Sequence, residues 1–236
     1  MALTSTQLDF LKKLAEAAKQ DWEKNKIIIP SLTISQGIVE SSWGSSDLSR
    51  LANNFFGIKR GNNWDGESVL FNSPEYVNGK RIMQKSPFRK YATFFDSVED
   101  HSKFLKANKR YSDNGVVGCT DFVLACYRIK KAGYATGPNY GSNNIDRIIR
   151  YKLYEYDPEK YNPDKEYCIQ FGAFRQEENA KSLVSTLTAM GIPVSYKQRD
   201  DQLFRVRSAA TNNAVAVVGT CEALIQKNIT HVLVAV

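Results

Sequence analysis

A glutamate near the end of a short helix is the sharpest chemical feature of this sequence. Residues 31–59 read SLTISQGIVESSWGSSDLSRLANNFFGIK; Pro30 and Ser31 open a helix and Gly44 marks its stop. That spacing puts Glu40 in the last turn or so, at the negative end of the helix dipole, which disfavours an ionised carboxylate. Partial burial against Trp43, three residues on, would push its pKa up further. A carboxyl held protonated near neutral pH is what a general acid needs to protonate a leaving-group oxygen. The same position also suits a solvated glutamate on a polar helix face, and spacing alone leaves both readings open.

The elements that must position Glu40 are mostly helical. Thr6-Gln-Leu-Asp9 has capping-box spacing, and Leu8, Leu11, Ala15, Ala18 and Trp22 follow at three- and four-residue steps. In the second helix Ile34 and Ile38 share one face. Strand patterns at 68–71 and 80–84 flank Asn78-Gly79, a strong two-residue hairpin signal. Helices are predicted again over about 97–107, 120–131 and 143–151. The composition then changes at 151–164, YKLYEYDPEKYNPD, where Pro158 and Pro163 predict a helix ending near Tyr156 and a short linker. Beyond it lie a strand at 167–174, a helix at about 176–190 stopped by Gly191, and a strand at 193–197. A strand at 203–207, a helix near 212–227 and a strand at 231–236 complete a weak internal repeat. A βαββαβ order closes as a small antiparallel sheet with two helices on one face. The expectation is an α+β chain of two domains: a helical domain carrying a β-hairpin over 1–157, a linker at 158–165, and a small α/β domain over 166–236.

Composition narrows the functions. Of 236 residues 42% are hydrophobic and 24% charged, ordinary globular usage. No run approaches the ~20 apolar residues of a membrane span, so membrane insertion is not expected. Residues 1–20 carry Lys12, Lys13, Glu16 and Lys19 in a helical pattern without an apolar signal-peptide core, so synthesis in the cytoplasm and another exit route are expected. The net charge of +7 sits in the N-terminal part: 161–236 hold 8 basic and 7 acidic residues, leaving 24 and 18 before them. A basic surface suits nucleic acid, anionic lipid or acidic wall polymers and does not choose among them. Cys119, Cys126, Cys168 and Cys221 have no Cys-x-x-Cys spacing, and His101 and His231 are the only histidines. Reduced thiols, no metal and no cofactor are expected, which weakens zinc amidases and cysteine peptidases as classes.

Gln36-x-x-x-Glu40-Ser-x-Trp43-Gly-x-Ser46, then Asn53-Asn54-Phe-Phe56-Gly57-Ile-Lys59, resembles the active-site signature of bacterial and phage β-N-acetylglucosaminidases, glycoside hydrolase family 73. The likeness continues through Pro74-Glu75-Tyr76-x-Asn78-Gly79-Lys80 and 88–101 to Gly133-Tyr134-Ala135-Thr136, covering nearly all of 5–157. It implies a lysozyme-like helical core with Glu40 as general acid. It implies a second carboxylate on the hairpin at Glu75, next to Tyr76, with Glu67 and Asp65 as alternatives on the same lobe. Tyr134 matches a tyrosine near the cleft that could hold an N-acetyl group or polarise water. Where the family commonly has an acidic residue after Ala-Thr this chain has Gly137, which puts the shape of that loop in question. Asn53 and Asn54 suit sugar hydroxyls or a turn cap; Trp43 a wedge behind Glu40 or a sugar platform; Trp64, if exposed, a stacking surface for a pyranose. His101 is expected to be structural.

Tyr167-x-Ile-Gln170-Phe-Gly172-Ala-Phe174, Glu178-Asn-Ala180 and Leu203-Phe-Arg205-Val-Arg207 resemble the sporulation-related repeat, or SPOR, domain over 166–236. That resemblance implies binding of glycan strands by the sheet face, with Gln170, Phe174, Arg205 and Arg207 as contacts. Strand alternation alone would send Ile169, Phe171 and Val206 to the core and their neighbours to water. The two resemblances together imply a monomeric peptidoglycan hydrolase cleaving the β-1,4 bond after N-acetylglucosamine. A phage endolysin released at host lysis is the expected setting, with nucleic acid not expected as a partner. A lytic transglycosylase or a non-catalytic wall-binding protein are the alternatives.

Overall fold

The computed structural model describes residues 3–77 and 80–236, with the backbone alone for 74–77 and 80–81. Helix α1 (Ser5–Asn25) buries Phe10, Leu14, Ala18 and Trp22 along one stripe. Its cap is Thr4, not Thr6: the Thr4 hydroxyl accepts the Gln7 amide at 3.2 Å and the Gln7 side chain accepts the Thr4 amide at 3.0 Å. Asp9 is instead paired with Lys13 on the surface at 2.8 Å.

Helix α2 (Pro30–Glu40) runs through the interior, buried from Pro30 to Ile38, and Glu40 is its last residue. Directly after it Ser42, Trp43 and Gly44 all take positive φ, 51°, 60° and 72°. Left-handed backbone is rare for non-glycine residues, so this turn is held by its surroundings. A Cβ on Gly44 would lie 2.4 Å from the Phe10 ring, so only glycine lets the chain turn there. Helix α3 (Asp47–Ala52) follows, capped by Ser46.

The hairpin pairs β1 (Ser68–Val77) with β2 (Lys80–Arg89), from Ser68 opposite Arg89 to Val77 opposite Lys80. Its strands are longer than the alternation suggested, and Asn78 and Gly79 lie outside the described residues. Helices α4 (Phe94–Ala107), α5 (Lys109–Asp113), α6 (Phe122–Lys131) and α7 (Tyr140–Arg150) complete the helical part. Thr93 with Asp96 starts α4 three residues earlier than predicted, through a capping box. Helix α7 also starts three residues early. After a 3₁₀ turn (Leu153–Tyr156), Asp157 folds back and accepts the Ser31 amide at 2.8 Å, satisfying an orphan N–H of α2.

The C-terminal part contains β3 (Tyr167–Phe174), α8 (Glu177–Ala189), β4 (Ser195–Gln198), β5 (Phe204–Arg207), α9 (Ala214–Gln226) and β6 (Val232–Ala235). The strands form one antiparallel sheet in the order β4-β5-β3-β6. Helix α8 packs on β3 and β5, while α9 packs on β3 and β6 and also on α6 and α7. One core cluster joins the two parts, with Leu14, Ile34 and Ile145 in the same cluster as Ile169, Val218 and Leu233. All four cysteines are buried free thiols. No helix among the described residues is long and apolar enough to cross a membrane.

Burial raises the Asp157 carboxyl from its ordinary 3.8 to about 7, against the Ser31 hydrogen bonds that lower it. The folded carboxyl keeps its proton to higher pH than the unfolded one. Its contribution is therefore complete below about pH 4 and lost as pH rises through 7. Wild type should lose stability relative to Asp157→Asn between pH 4 and pH 8, by up to about 4 kcal/mol. Thermal unfolding of both proteins across that range checks this; a gap that does not change with pH would refute it.

Candidate active site

Glu40 emerges at the carbonyl end of α2 into a groove of about 700 Å³. The groove is lined by residues 56–59 and Arg89, by Tyr134 and the loop 135–137, and by His101 and Tyr111. The Glu40 side chain is exposed to the groove, with protein packed against part of it. Desolvation by that packing raises its pKa above the ordinary carboxylate range, opposed by a hydrogen bond from Tyr140 and by the charge of Arg147. The Tyr140 hydroxyl donates to Glu40 Oε1 at 3.4 Å and accepts from Gln36 Nε2 at 3.1 Å. Burial, with Tyr140 and Glu40 nearby, pushes the Tyr134 hydroxyl well above its usual range, so it stays a donor. A carboxyl biased to hold its proton beside a hydroxyl donor is an arrangement for giving a proton to an oxygen leaving group.

Three residues that sequence reasoning passed over hold this arrangement. Tyr140, Asn144 and Arg147 stand at i, i+4 and i+7 on α7, one face of a helix. Ser35 Oγ donates to Asn144 Oδ1 at 2.6 Å and Arg147 donates to Ser35 Oγ at 3.0 Å, which locks α7 to α2. Lys130, itself buried, donates to the carbonyls of Ala135, Thr136 and Gly137 at 3.1, 3.4 and 2.7 Å. Three carbonyls turned toward one ammonium fix the loop that carries Tyr134, with Gly137 in place of an acidic residue. The helical spacing was visible in the sequence; the partners of each side chain were not.

The other predicted residues separate. Trp43 is absent from the groove lining; its ring lies edge-on to Tyr151 at 5.2 Å, which ties the turn after α2 to the end of α7. Asn54 is buried: its Nδ2 donates to the carbonyls of Ile58 and Arg89, both at 2.9 Å, and its Oδ1 accepts the Ile58 amide at 3.0 Å. Its amide group is fully committed to backbone, so it is a tie at the base of the hairpin and not a sugar contact. Asn53 likewise donates to the carbonyls of Tyr91 and Ala92.

Trp64 is half-buried and outside the groove lining, with its indole N–H donating to the Glu67 carbonyl at 2.9 Å and the Arg89 guanidinium 4.7 Å from its ring centre. Glu67 is exposed and paired with Lys90 at 2.7 Å, and neither it nor Asp65 lines the groove. The backbone of Glu75 stands opposite Ile82 in the hairpin; the side chains of Glu75 and Tyr76 lie outside the described residues. His101 is buried and stacked on Phe56 at 3.9 Å, and burial lowers its pKa to about 3, so a neutral ring backs the groove.

In the C-terminal sheet, Gln170 pairs with Arg207 and Ala173 with Arg205, which puts Gln170, Arg205 and Arg207 on one face. Phe174 is not with them. A bulge between Gln170 and Gly172 shifts the alternation, so Phe174 pairs with Phe204 on the side that packs against α8.

Residues 15–153 match the glucosaminidase family, described as mannosyl-glycoprotein endo-beta-N-acetylglucosaminidase. The chain belongs to this family of glycoside hydrolases. Residues 163–234 match the SPOR domain. Among curated relatives, the glucosaminidase part is 37% identical over 153 residues to the exo-glucosaminidase LytG of Bacillus subtilis (strain 168), covering 63% of this chain and 52% of that protein. It is 36% identical over 162 residues to a probable N-acetylmuramidase of Lactococcus lactis subsp. lactis (strain IL1403), covering 66% of this chain and 36% of that one. This chain thus spans about half or less of the length of these relatives. Among solved structures, the catalytic domain of the autolysin Auto from Listeria monocytogenes superposes with a TM-score of 0.57 at 27% identity, covering 66% of this chain and 90% of that one.

Asn54→Ala should cost about 3 kcal/mol of stability, because it leaves buried backbone groups without partners. KM of the folded fraction should stay unchanged; urea unfolding together with steady-state kinetics separates this from a loss of sugar contact, which would raise KM at constant stability.

Proposed function

We propose that this chain is a peptidoglycan hydrolase that cleaves the β-1,4 bond after N-acetylglucosamine, with Glu40 as general acid. The observation that carries the reading is the Glu40 carboxyl, raised by desolvation at the floor of an open groove and hydrogen-bonded by Tyr140. In the proposed reaction Glu40 protonates the glycosidic oxygen as the bond to the anomeric carbon breaks. Water completes hydrolysis with the help of Glu75 on the hairpin, by an inverting, retaining or substrate-assisted course, and the Tyr134 hydroxyl orients the N-acetyl group or that water. The reading of a glycan substrate is supported by the family match and by the open groove of about 700 Å³ in front of Glu40.

Relatives carry the names of two different bond specificities, a glucosaminidase and a muramidase. Mass spectrometry of digested, purified peptidoglycan distinguishes them. Wild type should release new reducing ends of N-acetylglucosamine, and Glu40→Gln should lower the rate by at least about a hundredfold. New reducing ends of N-acetylmuramic acid or anhydromuramyl products would overturn the bond assignment, and undiminished cleavage by Glu40→Gln would overturn the role of Glu40.

The C-terminal sheet is the proposed wall-binding part, acting on glycan strands as a monomer and not on nucleic acid. Its open face carries Arg207, which donates to Gln170 at 2.9 Å, and Arg205, which is paired with Asp201. Arg205→Ala combined with Arg207→Ala should cut co-sedimentation with purified wall at least about tenfold, while cleavage of short soluble glycans is unchanged. For the setting we propose a phage endolysin. Produced inside a bacterium, the chain should lyse cells only when a second protein opens the inner membrane; lysis without one would favour a cell's own autolysin.

A further inference from the structure

Helix α7 presents Tyr140 to Glu40, and its first amides are capped from the C-terminal part of the chain. Glu222 of α9 is only 1% exposed. Its Oε1 accepts the Gly141 amide at 2.6 Å, and its Oε2 accepts the Ser142 hydroxyl at 2.5 Å and the Ser142 amide at 3.3 Å. A carboxylate withdrawn from water is costly unless hydrogen-bond donors and positive charge surround it. The first turn of α7 offers both, as orphan amides and as the positive end of the helix dipole. The local N-cap residue, Asn139, makes no side-chain cap hydrogen bond, so Glu222 takes that place from 81 positions away.

The fit is close. A Cβ on Gly141 would come within 2.7 Å of the Cys126 carbonyl oxygen and 3.2 Å of Glu222 Oε1. Nearby, Tyr127 and Lys131 of α6 donate to the His231 carbonyl at 3.1 and 3.0 Å, and Val218 and Cys221 of α9 enter the same core as Ile145 of α7. The C-terminal part is thus seated on the helices of the glucosaminidase part by buried hydrogen bonds and apolar contacts, and one of those hydrogen bonds ends one residue from Tyr140.

We propose that Glu222 is a positioning residue for the acid. By capping α7 it fixes the first turn of that helix, hence Tyr140, and through Tyr140 the carboxyl of Glu40. The wall-binding part is then a structural component of the catalytic site as well as an anchor. This rests on the reading of Glu40 as the acid. Without the cap, the first turn of α7 frays toward water, and a small displacement of a group beside the reacting atoms is enough to slow chemistry.

The experiment is a double-mutant cycle on the full chain, with kcat and KM measured on soluble glycan fragments for wild type, Glu222→Gln, Tyr140→Phe and the double variant. Glu222→Gln keeps the volume and sets an amide NH2 against the donors of α7. Expected for Glu222→Gln is a fall in kcat of about tenfold with KM within about twofold, and a double variant no slower than the slower single one. Hydrogen exchange of the peptide spanning 139–146 should accelerate in Glu222→Gln. Should Glu222→Gln fail to fold, Ser142→Ala removes one of the same hydrogen bonds and should lower kcat in the same direction, by a smaller factor. Unchanged kcat per folded molecule, or effects that multiply in the double variant, overturns the proposal while leaving the hydrolase reading intact. A wild type that releases no sugar ends at all overturns both.

Discussion

Helix α2 is buried over almost its whole length while carrying Ser31, Thr33, Ser35 and Gln36 among its isoleucines. Polar groups in an interior need partners, and other elements supply several of them, although the Thr33 hydroxyl and Gln36 Oε1 have no hydrogen-bond partner among the described residues. Asp157 returns from beyond the last catalytic helix to accept the Ser31 amide. Asn144 and Arg147 of α7 meet Ser35, and Tyr140 meets Gln36. At Val39 and Glu40, its last two residues, α2 reaches solvent, just before the chain turns through three left-handed residues. The Glu40 carboxyl is therefore placed by the packing of the helix that ends in it.

Two glutamates show how helix ends divide the chemistry. Glu40 sits at a carbonyl end, where the dipole and desolvation both favour the protonated form. Glu222 sits against an amide end, where donors converge on it. The first arrangement suits proton donation, and the second suits holding two pieces of protein together. Tyr140 stands between them, adjacent to the amides that Glu222 accepts and hydrogen-bonded to Glu40.

The C-terminal sheet keeps one face open although it is firmly attached. Attachment runs through α9 and β6 to α6 and α7, so the face with Gln170, Arg205 and Arg207 is not used for docking. The bulge in β3 makes this division possible. It turns Gly172 and Phe174 toward α8 in place of the alternation that Ile169 and Phe171 begin, and it leaves the polar and basic residues together on the outside.

Sequence alone determined the features whose causes are local. Hydrophobic periodicity gave the order of the longer helices and the strands but not the short helices α3 and α5, Asn78-Gly79 pointed to the hairpin between β1 and β2, and Pro30 and Gly44 bracketed the helix that ends in Glu40. The ordered combination of motifs from Gln36 to Thr136 was enough to indicate the family, because a motif is a property of the chain. Tertiary structure decided whatever depended on partners distant along the chain. Asn54 suited a sugar by type, yet its position placed Ile58 and Arg89 within reach of its amide. Phe174 suited a binding face by alternation, yet one extra residue in β3 turned it inward. Helix α7 was predicted to begin three residues late because its cap, Glu222, comes from another part of the molecule. Periodicity and capping patterns report on neighbours within a few residues, whereas a side chain's final role is set by whichever donors and acceptors folding brings to it.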